Sequence, residues 1–140
     1  MNMSFTELNL NSNIIEGLKL QGITSPTEVQ SLTIPKALEN LDIIAEAHTG
    51  SGKTLAYICP IFQKINTEKK EMQAIILAPT HELVMQIDAQ IKLLAKNSNM
   101  NVTSLTIMGE SNIEKQIKKL KEVKPHIIVG SSGRVLDLIK

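Results

Sequence analysis

The chain has 140 residues, of which 42% are apolar and 21% are charged, and its formal net charge is +1 at pH 7. These values indicate one globular domain with a core and exclude a disordered chain. A net charge so close to zero gives no general argument for binding nucleic acid or a membrane, so any site for a polyanion must be local.

Cys59 is the only cysteine, which excludes an internal disulfide and argues against a cysteine-based zinc site. We expect it to be a buried, small apolar residue. The residues Met1–Glu7 show no basic segment followed by an apolar one, and no apolar run approaches the roughly 20 residues of a membrane span. The sequence therefore predicts a cytoplasmic protein with no membrane partner, and it identifies no protein partner.

The first part of the chain predicts two helices and a short strand. Ile14, Ile15 and Leu18 share one side of a helix over residues 12–21, and Gly22 ends it. The run Pro26-Thr27-Glu28 opens a second helix that reaches about Glu39. The apolar residues of Asp42–Ala45 predict a short strand, and a glycine-rich loop and a helix to about Lys64 follow it.

The second part alternates strands and helices. The predicted elements are a strand at Gln73–Ala78 that is buried on both faces, a helix from Pro79-Thr80, a strand at Val102–Ile107, a helix over residues 112–123 with the apolar stripe Ile113, Ile117 and Leu120, a strand at His126–Val129, and a helix at Val135–Ile139. Alternation of this kind predicts an α/β fold of about four parallel strands with helices on both faces. Ligands of such sheets bind at the carboxyl ends of the strands, so we expect the turns there to lie on one edge.

The stretch from Ala47 to Thr54 matches the P-loop pattern except at its first residue, which is usually glycine. Gly50 and Gly52 allow the backbone to curl so that its N–H groups point at phosphate oxygens, and the helix that follows adds the positive end of its dipole. Lys53 would reach the β- and γ-phosphates, and the Thr54 hydroxyl would coordinate Mg²⁺. The alternative is a glycine-rich turn with a purely structural role.

Further motifs resemble those of the first RecA-like domain of DEAD-box RNA helicases. Gly22–Gln30 resembles the Q motif, Ala47–Thr54 resembles motif I, and Pro79–Leu83 resembles motif Ia. Gly109 lies at the double-glycine motif, and Ser131–Arg134 resembles motif Ib. The likeness runs from Phe5 to the last residue, and it suggests a Q-motif region with N-terminal helices at residues 1–40 and an incomplete RecA-like ATP-binding domain at residues 41–140.

The resemblance implies an ATP-dependent RNA helicase with ATP and Mg²⁺ as cofactors. Gln30 and Ile23 would contact adenine, because a carboxamide can pair with adenine N6 and N7. The phosphates would be held by Thr49, Gly50, Ser51, Gly52, Lys53 and Thr54, of which Lys53 and Thr54 would be catalytic. The sugar-phosphate backbone of RNA would be bound without sequence specificity by Pro79, Thr80, His81, Gly109, Ser131, Gly133 and Arg134. Each of these residues, taken singly, is also an ordinary turn or cap residue.

The chain departs from the family pattern at Ile23, His81, Glu110 and Ser132, where the family usually has an aromatic residue, arginine, glycine and proline. The larger departure concerns the acidic motif, because no apolar strand here ends in aspartate. The resemblance expects that motif after Lys140, together with two strands that lie beside the P-loop strand. We therefore expect exposed strand edges, and we expect the 140-residue chain to bind ATP with negligible turnover. The alternatives are a non-catalytic ATP- or RNA-binding module and another P-loop NTPase or kinase.

The lysines at positions 115, 118, 119, 121 and 124 alternate with Glu114 and Glu122 along one predicted helix. Charges on such helices usually face water, which favours a solvated surface over an RNA-binding patch. His48, His81 and His126 show no metal-ligand spacing.

Overall fold

The computed structural model describes residues 4–48, 50, 52–109 and 112–139, and the side chain of residue 139 is not included. In chain order the elements are α1 (Ser12–Leu20), α2 (Glu28–Leu38), α3 (Lys53–Lys64), β1 (Ala74–Leu77), α4 (His81–Ser98), β2 (Ser104–Ile107), α5 (Ile113–Val123), β3 (Ile127–Gly130) and α6 (Ser132–Ile139). They form two units, which comprise Met1–Ile65 with Lys96–Met100, and Asn66–Ala95 with Asn101–Lys140.

The first unit is built on α1, α2 and α3. Asn11 caps α1 by accepting a hydrogen bond from the Ile14 amide at 3.0 Å, and Gly22 ends it with a φ of +81°. The amides of Gly22 and Ile23 donate to the Lys19 and Leu18 carbonyls, which is a Schellman end. The core of this unit consists of fully buried apolar side chains, which include Leu8, Ile14, Leu18, Ile34, Ile58 and Phe62.

The second unit contains a three-stranded parallel sheet in the order β1-β3-β2. Ile75 pairs with Ile128, and Leu105 pairs with Ile128 from the other side. The central strand, β3, is the most buried, with Ile127 and Val129 fully inaccessible to solvent. Val84, Ile87 and Ile91 recur along α4 at helical spacing and are buried, as their period predicts.

The sequence predicted most of these elements. The α/β class with a parallel sheet is confirmed, and so are the six helices, each within about three residues of its observed start. The final helix begins earlier than predicted, at Ser132, because Ser132 and Gly133 lie in its first turn, where helix-disfavouring residues are best tolerated.

The predicted strand Asp42–Ala45 is wrong, and the described residues contain three strands rather than four. A strand needs a neighbour that satisfies its N–H and C=O groups, and none of the three strands pairs with this segment. Leu41 and Ile44 in this segment are 53% and 103% exposed, since no described strand or helix covers them.

One burial prediction is also wrong. β1 is an edge strand, and Ile75 and Leu77 on one of its faces are exposed, so it is not buried on both faces. The apolar stripe of α5 is also accessible: Ile113 and Ile117 are exposed, and Leu120 is half-buried. An apolar face predicts burial only where another element packs against it.

Asp88 links α4 to β2 in the second unit, and we expect its removal to destabilise the fold. The carboxylate is 3% exposed; it accepts a hydrogen bond from the Ser104 hydroxyl at 2.6 Å and pairs with the Lys92 ammonium at 2.7 Å. Because Asp88→Ala leaves the Ser104 hydroxyl without this partner, the free energy of unfolding in urea should fall by about 2–3 kcal/mol. The exposed Asp137→Ala is the control and should change stability by about 0.5 kcal/mol or less. Equal losses in the two variants would contradict this role of Asp88.

Candidate nucleotide site and nucleic-acid edge

The glycine-rich loop leads directly into α3. Gly50 and Gly52 have φ values of +85° and +84°, in the left-handed region that glycine adopts readily. Gly52 is the N-cap residue of α3, and Lys53 and Thr54 are its first two residues. The other two predicted phosphate-binding residues, Thr49 and Ser51, lie outside the described residues. The conformation at both described glycines therefore fits the tight curl that a P-loop requires.

The N-terminus of α3 differs from those of four other helices. Side chains cap α1, α2, α4 and α5, with Asn11, Thr27, Thr80 and Asn112 as acceptors. At α3 no side chain within the described part of the chain accepts a hydrogen bond at the cap. An uncapped N-terminus that follows a glycine-rich loop is a suitable place for an anion, because its N–H groups lack helical partners and its dipole is positive.

Lys53 and Thr54 project from this end of α3. The Lys53 side chain is exposed and lines a cavity of about 450 Å³, whose other walls are mostly apolar. Its ammonium has no hydrogen bond or ion pair to any other described residue. The Thr54 side chain is half-buried and lies one turn before Tyr57 on α3. Burial raises the pKa of the Tyr57 phenol, and the nearby Thr54 side chain lowers it by a smaller amount.

Gln30 joins the start of α2 to the glycine-rich loop. Its side chain is 2% exposed; Oε1 accepts from the Thr27 amide at 2.9 Å, and Nε2 donates to the Gly52 carbonyl at 3.1 Å. The Thr27 hydroxyl in turn accepts from the Gln30 amide at 3.4 Å, which completes a capping box. A carboxamide has two N–H groups and two acceptor lone pairs, so these bonds leave capacity for a further partner. The adenine contact stays a prediction.

Ile23 lies in the Schellman end of α1, where its amide donates to the Leu18 carbonyl at 2.9 Å. Its side chain is half-buried. The predicted contact between Ile23 and adenine also stays a prediction.

The second unit brings three predicted turns to one edge of the sheet. Pro79 and Thr80 follow β1, Met108 and Gly109 follow β2, and Ser131 follows β3. The Ala78 amide donates to the Gly130 carbonyl at 3.0 Å, and the Ser131 amide donates to the Ile107 carbonyl at 3.1 Å. These bonds hold the three strand exits side by side, as the parallel arrangement predicts.

The predicted RNA-contacting residues on this edge are accessible to different degrees. Pro79, Thr80, Gly109 and Gly133 are exposed, whereas His81, Ser131 and Arg134 are half-buried. The Thr80 hydroxyl caps α4 by accepting from the Leu83 amide at 3.1 Å, so it also has a structural role. Glu110 lies outside the described residues.

On this edge Arg134 donates hydrogen bonds to two described residues, Gly109 and Gln116. Nη2 donates to the Gly109 carbonyl at 2.8 Å, and Nη1 donates to the Gln116 side-chain oxygen at 3.1 Å. Sequence reasoning did not single out Gln116. The available signal is its position: Gln116 lies three residues after Ile113 and four before Leu120, so it is a polar residue beside the apolar stripe of α5.

The lysines of α5 are exposed at all five positions, 115, 118, 119, 121 and 124. The predicted solvated face is therefore what the structure shows. In the described ranges, no group of three or more histidine, cysteine, aspartate or glutamate side chains is arranged to hold a metal ion. No helix in those ranges is long and apolar enough to cross a membrane.

A glycine-rich loop before a helix that no described side chain caps, and a parallel sheet with helices, are both typical of the α/β proteins that bind nucleotides. The DEAD/DEAH box helicase family model matches residues 27–140. The chain therefore belongs to the DEAD/DEAH box helicase family.

Individual relatives agree with this assignment. The chain is 43% identical over 138 residues to the DEAD-box ATP-dependent RNA helicase CshA of Streptococcus pneumoniae, and the match covers 99% of this chain and 26% of CshA. Its structure is similar to that of a DEAD box protein from Methanococcus jannaschii, with a TM-score of 0.89, 38% identity, and coverage of 99% of this chain and 38% of that one. It is also similar to Saccharomyces cerevisiae Dbp5 bound to RNA and ADP BeF3, with a TM-score of 0.84, 32% identity, and coverage of 97% and 34%. The chain thus spans about a quarter of the length of the curated relative.

Proposed function

We propose that this chain supplies the ATP pocket and part of the RNA-binding edge of an ATP-dependent RNA helicase, which couples ATP hydrolysis to the unwinding or remodelling of RNA. The observation that carries the proposal is the N-terminus of α3, which follows two left-handed glycines and has no side-chain cap among the described residues. The family membership and the RNA- and nucleotide-bound relative support the same function.

In the proposed pocket each side chain has a separate task. The Lys53 ammonium neutralises the charge of the β- and γ-phosphates, and the N–H groups at the start of α3 contact their oxygens. Gln30 fixes the Gly52 carbonyl and contacts adenine with its remaining hydrogen-bonding capacity.

The donors present fit Mg²⁺, because this ion takes one or two protein oxygens and completes its shell with water and substrate phosphates. Thr54, the second residue of α3, would provide the protein oxygen. When bound, the ion neutralises charge on the phosphates.

On the second unit, the proposed RNA site contacts the sugar-phosphate backbone. Exposed backbone groups and hydroxyls at three neighbouring strand exits, together with one arginine, position a strand without reading its bases. This composition fits binding that does not depend on RNA sequence.

We infer that the 140-residue chain binds ATP and turns it over negligibly. Its three aspartates are Asp42, which is exposed in an unpaired segment, Asp88, which is buried on α4, and Asp137 on α6. None of them ends a strand, so none occupies the position from which an acidic pair would orient Mg²⁺ and the attacking water. The second candidate is a non-catalytic ATP- or RNA-binding module, and an ATPase assay beside a binding titration separates the two.

Lys53→Ala should weaken MgATP binding about 10- to 100-fold, because the variant loses a charge-assisted contact to phosphate worth about 1.5–3 kcal/mol. Isothermal titration calorimetry of the purified chain with MgATP measures the effect. Lys19→Ala is the matched control, since Lys19 is an exposed lysine on α1 whose side chain pairs only with Glu16 among the described residues.

Affinity for MgATP that is equal in Lys53→Ala and in the unmodified chain would contradict the proposal. The same titration with MgGTP tests the role of Gln30. Equal affinity for GTP and ATP would favour a different P-loop enzyme, such as a kinase, over a helicase.

A further inference from the structure

Gln116 is the one buried residue of α5, a helix that is otherwise exposed or half-buried. Its side chain is 7% exposed, and both ends of the carboxamide are engaged. Nε2 donates to the Met108 carbonyl at 2.8 Å, and Oε1 accepts from Arg134 Nη1 at 3.1 Å. Gln116 therefore connects α5 to the turn after β2 and to the first turn of α6.

Among the described residues, Gln116 and Gly109 both hold Arg134. Its Nη1 donates a hydrogen bond to the Gln116 side chain, and its Nη2 donates one to the Gly109 carbonyl at 2.8 Å. Because the guanidinium is planar and rigid, hydrogen bonds on two of its nitrogens fix its plane as well as its position. A long side chain that is already ordered loses less conformational freedom when it binds a ligand than one that is not.

We propose that Gln116 is a positioning residue for RNA: it orients the Arg134 guanidinium on the edge formed by the strand exits, so that the arginine meets a phosphate in a prepared geometry. This inference rests on the proposed function, in which Arg134 contacts the RNA backbone. Gln116 itself does not touch RNA, and its contribution passes entirely through Arg134.

The competing explanation is that Gln116 only stabilises the turn at Met108. The two roles differ in what happens when Arg134 is absent. A positioning residue has no effect on RNA affinity without the arginine, whereas a structural residue has the same effect with or without it.

The experiment compares the full chain with Gln116→Met, Arg134→Met and the double variant. Fluorescence anisotropy with a labelled poly-uridine single strand gives the affinity at a series of salt concentrations, and thermal unfolding is recorded for each protein. Gln73→Met is the matched control: Gln73 also makes side-chain hydrogen bonds to backbone, with Asn66 and Lys69, but it lies just before β1, at the opposite end of that strand from Thr80.

We expect Gln116→Met to weaken RNA binding about 3- to 10-fold and to leave the affinity unchanged in the Arg134→Met background. Arg134→Met should lower the slope of log affinity against log salt by about 0.7, the value for one phosphate contact on a single strand. Gln116→Met should lower the same slope although it removes no charge, which a merely structural role would not do. Gln73→Met should leave both affinity and slope unchanged.

The inference would be overturned if Gln116→Met lost the same RNA affinity with Arg134 present as with Arg134→Met. It would also be overturned if Gln116→Met lowered the melting temperature but left the slope of log affinity against log salt unchanged. Either result would leave the proposed function intact. No RNA binding by the unmodified chain, or unchanged affinity in Arg134→Met, would instead contradict the proposed RNA edge. If Gln116→Met is unfolded at the assay temperature, Gln116→Asn replaces it. Asparagine keeps the amide but is one methylene shorter, so it cannot reach both Met108 and Arg134. The results expected for Gln116→Met, and those that would overturn the inference, then apply to Gln116→Asn.

Discussion

Replacement of Gly52 by alanine is expected to lower the free energy of unfolding by about 3 kcal/mol and to weaken MgATP binding more than tenfold. Gly52 has a φ of +84°, which by itself would cost an alanine about 1–2 kcal/mol. A Cβ there would also lie 2.5 Å from Gln30 Nε2 and 3.1 Å from two atoms of the Thr27 side chain. The Gln30 side chain must therefore move away, and its hydrogen bond to the Gly52 carbonyl is lost.

Gly50→Ala separates the two causes. Gly50 has nearly the same φ, +85°, but no atom of the described residues lies within 4 Å of a Cβ built there. When both variants are unfolded in urea, we expect Gly50→Ala to lower the free energy of unfolding by about 1–2 kcal/mol. This is the part of the loss that comes from the positive φ alone.

A second comparison isolates Gln30. In a Gln30→Ala background, Gly52→Ala has no amide to displace, so its further loss of stability should shrink to about that of Gly50→Ala. If Gly52→Ala costs the same in both backgrounds, the close approach between Gln30 and Gly52 is not what destabilises the variant.

The features that sequence predicted correctly have local causes. Caps and ends are encoded within a few residues, as at Thr27 and Gln30 for α2 or Gly22 for α1, so helix positions follow from short patterns. Two of the three observed strands, β1 and β3, are short apolar runs between helical segments, and the alternation of strands with helices indicates a parallel sheet.

The features that sequence missed depend on distant neighbours. Asp42–Ala45 is as apolar as a strand, but pairing requires another strand, and no local pattern shows whether one is available. The exposed face of β1 has the same cause, because Ile75 and Leu77 would be buried only if another element packed against them.

In the candidate site, too, sequence predicted the features with local causes and missed those that depend on distant residues. Motif spacing found the glycine-rich loop, Lys53, Thr54 and the strand exits, because each is a local turn beside a helix or strand. The bonds between Gln30 and Gly52, 22 residues apart, and between Gln116 and Arg134, 18 residues apart, join separate elements. A periodic sequence pattern cannot predict contacts between residues so far apart. These contacts determine the positions of the Gln30 and Arg134 side chains.

Alkaline pH should destabilise the first unit through Cys59. The thiol is fully buried on α3, and burial raises its pKa from 9.0 to about 12. The folded state therefore resists ionisation that the unfolded chain undergoes above pH 9. The contribution of the Cys59 thiol to the free energy of unfolding is therefore fully present below pH 9. It falls by about 1.4 kcal/mol per pH unit between pH 9 and pH 12. The raised pKa of Tyr57 acts in the same direction.

Urea unfolding of the unmodified chain and of Cys59→Ala at several pH values tests this expectation. At pH 7 the alanine variant should be slightly less stable, because a small cavity replaces the buried sulfur. Since the variant lacks the ionising thiol, the difference should reverse above about pH 10, where the unmodified chain has lost the larger amount. Tyr57→Phe is the control for the phenol. When both proteins also carry Tyr57→Phe, the pH at which the protein with Cys59→Ala becomes more stable than the protein with Cys59 should stay the same. Parallel losses in the unmodified chain and Cys59→Ala would show that ionisation of Cys59 does not limit alkaline stability.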